Sequence, residues 1–156
     1  MLVLVSAQFS HADSNISNDE ARNFFSLYHT MIQDRSKAVI QLISEDALLM
    51  SETHTVNNKS YITQYQLKNV FRFIETVQSF LHQNKEDSDF ERIRITREGD
   101  QVKISAQRFS STHCYLDKGY YLIIERERNF IKVIEEKINI QKNASCDELD
   151  DIQIDG

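Results

Sequence analysis

Proline is absent from this chain, and glycine occurs only at Gly99, Gly119 and Gly156. So few glycines exclude a Gly-rich phosphate-binding loop, and without proline there is no Pro-rich linker between domains. No apolar run approaches the ~20 residues that a membrane-spanning helix requires. Cysteine is scarce too. Cys114 and Cys146 show neither CxxC spacing nor a paired histidine cluster, so a zinc site is not expected, and no metal or cofactor is implied. Basic surface is also missing. The formal net charge is −6, and Asp147, Glu148, Asp150, Asp151 and Asp155 carry most of it within Cys146–Gly156, a stretch without Lys or Arg. The remaining body is nearly neutral, which excludes a nucleic-acid-binding surface.

The 156 residues suffice for one domain with one core, and the composition is that of an ordinary globular protein. Residues 1–17 read as a signal remnant or a disordered amino terminus. Leu2–Val5 is apolar and "SHA", ending at Ala12, offers the small residues that signal peptidase favours. The apolar stretch is short and no basic residue precedes it, as a start site read too far downstream would explain. The expectation is a periplasmic or secreted protein, with a cytoplasmic one as the alternative. In an exported protein Cys114 and Cys146 would bridge, which could stabilise by about 3–4 kcal/mol through loop closure. In a cytoplasmic one they would be two thiols.

Residues 18–141 carry the readable pattern. Ser17 and Glu20 form a capping box before "NDEARNFFSLYHTMIQDR". Phe24, Leu27, Tyr28, Met31 and Ile32 recur there at helical spacing, and Phe25 widens the apolar face. Ser36 caps a second, shorter helix, "KAVIQLIS", and "DALLMSE" reads as a strand. Ser60 then opens a long third helix, "YITQYQLKNVFRFIETVQSFLHQN", with "KEDSD" ending it.

From Phe90 the period becomes two. Ile93 and Ile95 alternate with Arg92, Arg94 and Thr96, and after the "REGD" turn Val102, Ile104 and Ala106 alternate with polar residues. Phe109 falls out of that phase, which predicts a bulge near Arg108. "HCYLDKGYYLIIERERNFIKVIEEKINI" supplies two more strands joined at "RERN". Helices followed by consecutive antiparallel strands predict an α+β domain with its helices on one sheet face. Residues 142–156 form an acidic tail.

The acidic turn and strand "SEDALLM", with Asp46 and Ala47 as its "D-A" pair, followed by a helix and the closing pair "ERERNFIKVIEEKINI", resembles the NTF2-like superfamily. SnoaL-like and ketosteroid-isomerase-like proteins belong to it. The resemblance covers residues 18–141. It implies a cone in which two amino-terminal helices and one long helix pack on a curved antiparallel sheet around an apolar pocket with a few polar groups. It also implies frequent dimers through the sheet, and activities that range from isomerisation to binding without catalysis. The chain departs from the pattern in having "VNNKS" in place of a glycine before the third helix, and "ERNF" at the last turn.

Isomerase-type chemistry on such a scaffold needs a carboxylate or His base opposed by Tyr donors. Asp46, His54, His113, Glu135 and Glu136 are the candidate bases; Tyr28, Tyr61, Tyr65, Tyr115 and Tyr121 are the candidate donors. Each has a structural alternative. Asp46 suits a turn, and His54 suits a solvated loop. His29 turns away from the main helical stripe and is expected at the surface. His113 and Cys114 are adjacent in a strand and face apart, so they are not expected to cooperate. Glu135 and Glu136 also face apart, so one of them points inward, with Arg108, Arg126 or Arg128 as cross-strand partners. Tyr28, Tyr61 and Tyr65 are expected to meet at the mouth of the cone as amphipathic walls. Sequons occur at Asn15, Asn58 and Asn143.

The sequence therefore predicts a domain that binds a small apolar or amphipathic ligand, or a protein partner, with no catalysis established. The alternatives are an acid–base enzyme of the SnoaL or ketosteroid-isomerase type and a structural component of an envelope assembly.

Overall fold

A computed structural model describes residues 15–55, 57, 59–78, 88–111 and 114–141. The expectations for the amino terminus, His113, Cys146, the acidic tail and the sequons at Asn58 and Asn143 lie outside the described residues.

The first helix, α1, spans Asn18–Gln33. Its capping box is complete: the Ser17 hydroxyl accepts from the Glu20 amide at 3.1 Å, and Glu20 Oε2 accepts from the Ser17 amide at 2.7 Å. Ala21, Phe24, Phe25 and Tyr28 form its buried face. "KAVIQL" makes a 3-10 helix over Lys37–Leu42 in place of the expected α-helix, and it buries Val39. Strand β1 covers Ile43–His54, starting earlier and ending later than "DALLMSE".

Ser60–Gln66 corrects the sequence reading. These residues form strand β2, hairpinned to β1 from Leu48↔Gln66 to His54↔Ser60, and do not open the third helix. "SYITQYQ" is rich in β-branched and aromatic residues, which suit an extended chain, and the adjacent β1 edge offers backbone partners. Helix α2 therefore begins at Leu67 and runs to Gln78.

Strands β3 (Ser88–Glu98), β4 (Gln101–Ser110), β5 (Tyr115–Glu127) and β6 (Phe130–Gln141) follow as an antiparallel meander. Gly99, at φ 62, turns β3 into β4 as its position predicts. The sheet order is β2-β1-β6-β5-β4-β3. The all-antiparallel expectation is corrected here, because β1 and β6 pair in parallel and the sheet is mixed. Alternation along a strand reports which face is buried, but carries no information on a neighbour's direction. The β1–β6 pairing joins segments roughly ninety residues apart, and the path of the chain between them sets its sense.

Four irregularities shift side chains between faces, and one of them, between Glu91 and Arg94 on β3 with Arg92 at φ 53, puts Phe90 and Ile93 on the same side. Between Ile43 and Leu48, β1 bulges against β6, leaving Asp46 exposed in the bulge. Between Ala106 and Arg108 the register slips, as Phe109 suggested, but the extra residue belongs to β5. Strand β4 keeps its alternation, so Arg108 and Ser110 are buried in line with Val102, Ile104 and Ala106, while Phe109 is not. On β6, Glu135 pairs with Ile123 and Val133 with Ile124, which skips Ile134. The skip brings Glu136 onto the same face as Val133.

That inner face meets α1 in one apolar core. Tyr28, Ile43, Leu67, Ile104, Tyr120, Leu122, Ile124 and Val133 are all almost fully buried in it. Full burial of each aliphatic side chain contributes about 1.5–3 kcal/mol.

Candidate functional site

The core contains a buried polar cluster where α1 crosses β5 and β6. Tyr28 Oη donates to Glu136 Oε2 at 2.8 Å, and Tyr120 Oη lies 3.0 Å from Glu136 Oε1. His29 Nε2 lies 2.9 Å from the same Tyr120 oxygen. The carboxyl is 7% exposed. Burial raises its pKa above 4.5, and the two tyrosines and the charge of Arg108 act against that rise. Both phenols are held well above 10, first by burial and next by the adjacent carboxylate. His29 is pushed down to about 3, first by burial and next by Arg108, so it is neutral at physiological pH. Its ring packs on Phe90 at 4.1 Å between centroids and edge-on to Phe25 at 4.4 Å.

These groups border a pocket of about 110 Å³ that is partly open to solvent. Glu136, Tyr120, His29 and Arg108 supply its polar lining, and Ile32, Phe90 and Ile138 its apolar walls. At its rim Gln33 Nε2 on α1 donates to the Ser88 carbonyl at the start of β3, at 3.1 Å.

Behind Arg108 the slipped register builds a second polar layer. Asp117 lies 3.7 Å from Arg108 Nε through Oδ2, and the same oxygen accepts from the Asn139 amide at 2.9 Å. Asp117 Oδ1 accepts from the Gly119 amide at 2.8 Å. Arg108 Nη2 donates to Tyr115 Oη at 2.9 Å, and Tyr115 donates to the Asn139 carbonyl at 2.8 Å. A buried guanidinium is tolerated only with such compensation, and Asp117, itself 1% exposed, provides the countercharge.

The sequence candidates divide accordingly. Tyr28 and Glu136 come together in the first cluster and Arg108 and Tyr115 in the second, with Arg108 lining the pocket beside Glu136. Glu135 and Tyr121 lie on the opposite face, where Tyr121 donates to Glu135 Oε1 at 2.5 Å and Lys103 Nζ sits 4.1 Å from the Tyr121 ring centroid. Tyr61 and Tyr65 are exposed on β2 and do not line the pocket. His54 ends β1, exposed, 3.8 Å from Glu52. Arg126 pairs with Glu20 at 2.8 Å, away from Glu135 and Glu136.

His29, Tyr120 and Asp117 are functional candidates beyond those drawn from the sequence. His29 was expected at the surface, yet it follows Phe25 by four residues and precedes Ile32 by three. That spacing places it on the widened apolar face of α1. For Glu136 no such local signal exists. Strict alternation from Val133 would bury Glu135, and only the skipped Ile134 reverses the choice.

No family model matches this sequence, and no curated protein matches it. Solved structures do match its fold. One is an NTF2-like protein of unknown function from Pseudomonas putida, at TM-score 0.56 and 12% identity, covering 76% of this chain and 82% of that one. Another is an NTF2-like protein from Cytophaga hutchinsonii, at TM-score 0.55 and 14% identity, covering 80% and 98%. The beta subunit of the benzoate 1,2-dioxygenase of Burkholderia mallei matches at TM-score 0.55 and 13% identity, covering 92% and 97%. At such identities the likeness concerns the fold.

Proposed function

Starting from the NTF2-like fold of this chain, we propose that it is a small-ligand-binding domain whose ligand sits in the pocket over Glu136. The observation that carries this reading is a buried carboxyl held by two tyrosines on the floor of an open, apolar-walled cavity. Polar groups converging at the end of an apolar pocket orient a ligand, and the walls supply the affinity. The volume limits the size of the occupant. About 110 Å³ lies below the ~300–1,000 Å³ of drug-sized sites. A whole polycyclic substrate would not be enclosed by a pocket of this size. A compound of a few heavy atoms with one polar end does fit.

Ligand-observed NMR with a panel of small phenols, azoles and short-chain carbonyl compounds tests this. Binding to the wild type that Ile138→Trp abolishes is the expected result, since the indole would fill the cavity. No binding by any member, or binding that this substitution leaves intact, would overturn the reading.

A partner-binding role is favoured by a separate observation. The edge strand β2 is exposed along its whole length, with Tyr61 and Ile62 at 57% and 63%, and Phe73 of α2 is 68% exposed. Among the described residues β2 is an edge strand, and an exposed sheet edge is a surface on which a second copy can add a strand. A dimer through the sheet would use it. Light scattering on the wild type and on Ile62→Lys decides this, a monomeric wild type excluding it at the concentration used.

Export and a Cys114–Cys146 bridge belong to the same proposal. They are supported by the apolar residues Leu2–Val5 and by there being two cysteines and no zinc-type spacing. Intact mass measured with and without reductant, after alkylation, checks the bridge. Uptake of two alkyl groups without reductant would exclude it.

A further inference from the structure

Tyr120 Oη is within hydrogen-bond distance of both His29 Nε2 and Glu136 Oε1, yet a phenol has one hydrogen to give. It must donate to one of them and accept from the other. When Glu136 is ionised, Tyr120 donates to Oε1, His29 Nε2 carries the ring hydrogen and donates to Tyr120, and Nδ1 is a bare lone pair. When Glu136 is protonated on Oε1, the acid donates to Tyr120, Tyr120 donates to Nε2, and the ring hydrogen sits on Nδ1. Tyr28 donates to Oε2 in both cases. The protonation state of Glu136 therefore sets the tautomer of His29.

We propose that His29, Tyr120 and Glu136 form a proton relay whose outer end, His29 Nδ1, takes a proton from a small, weakly acidic ligand in the pocket. The ligand's X–H bond breaks and its electron pair stays on X, while Nδ1–H forms. The Nε2 hydrogen passes to Tyr120 Oη, and the Tyr120 hydrogen passes to Glu136 Oε1. The products are a ligand anion and a neutral carboxylic acid, with no other reactant, and the reverse sequence returns the proton.

Three features of the site fit this role. His29 lines the cavity, and no hydrogen bond to its Nδ1 occurs among the described residues. Burial keeps the ring neutral down to about pH 3, so it passes a proton on and does not store one. Arg108 lines the same cavity and places a positive charge near the anion that forms. The groups facing the relay are Tyr28 and His29 from α1, Arg108 from β4 with Asp117 of β5 behind it, Tyr120 from β5 and Glu136 from β6. Strand β3 contributes Ser88 and Phe90 to the pocket. The ligand class is a neutral acid of a few heavy atoms, such as a phenol, an azole or an enolisable carbonyl compound.

The relay rests on the ligand-binding reading for its purpose, but its hydrogen order can be measured without a ligand. Ring-nitrogen NMR of His29 in the full chain distinguishes the two tautomers. In the wild type, the Nε2–H form should give way to Nδ1–H as pH falls through the Glu136 titration above 4.5. In Glu136→Gln, whose amide nitrogen can donate to Tyr120, Nδ1–H should prevail at every pH. In Tyr120→Phe the tautomer should be independent of pH. A wild-type tautomer that does not change between pH 4 and 9, or a change that Tyr120→Phe retains, overturns the relay. Should Glu136→Gln fail to fold, the comparison of wild type with Tyr120→Phe decides alone. Failure of the panel to bind would leave this titration unchanged, so the two readings fail separately.

Discussion

Tyr28 on the first helix donates to Glu136 on the last strand at 2.8 Å, across 108 positions of sequence. The bond fastens α1 to the inner face of the sheet and supplies one of two donors to a largely buried carboxyl. An acceptor stripped of its partner in such a place bears its full desolvation cost.

Tyr28→Phe should therefore destabilise the protein by about 1–3 kcal/mol and raise the Glu136 pKa further. Urea denaturation at neutral pH measures the first effect. A midpoint equal to that of the wild type would show that the bond does not hold the helix.

Glu136→Gln should gain stability relative to wild type as pH rises. The folded-state pKa of Glu136 is raised above 4.5, so the folded state binds more protons than the unfolded state between those two values. Wild-type stability from this group thus falls as pH climbs through that window, and the amide has no such slope. Denaturation midpoints of both proteins from pH 4 to 8 should diverge upward; parallel curves would contradict the raised pKa.

His29 works in the opposite sense. Its folded pKa is depressed from 6.5 to about 3, so its contribution is complete above pH 6.5 and is lost as pH falls toward 3. Within that window the slope is up to about 1.4 kcal/mol per pH unit. His29→Gln should abolish this slope, leaving a shallower loss of thermal stability from pH 6.5 to 4 than the wild type shows. An unchanged profile would mean that the ring is not buried as a neutral base.

Gly119→Ala should cost about 1–3 kcal/mol by overpacking. A Cβ there would strike the Asn139 amide group, whose backbone carbonyl and N–H hold Tyr115 and Asp117. Gly119 carries no positive φ, so the cost is steric. Asn139→Ala in the same chain should restore part of the loss, and a double-mutant cycle in urea would show whether the two positions couple.

Some of this was legible in the residues. The Ser17–Glu20 capping box, the apolar stripe of α1, the Gly99 turn and the alternations of β3 and β4 are local features, each set by hydrogen bonds or periodicities within a few residues. The NTF2-like pattern followed from their order. The boundary at Ser60–Gln66 was misread because "YITQYQ" fits a helix face and an extended strand alike, and only the free edge of β1 settles the choice.

The site depended on longer distances. Whether Glu135 or Glu136 turns inward is decided by one skipped residue, Ile134, in the pairing of β5 with β6. Arg108 is buried because β4 keeps its alternation, and an extra residue on β5, the facing strand, decides that Asp117 lies opposite it. The sequence by itself determined the elements and their order, because capping, turn chemistry and periodicity act between near neighbours. Only the tertiary structure decided which carboxyl meets Tyr28, Tyr120 and His29, because a one-residue shift between strands reverses the face of every side chain beyond it.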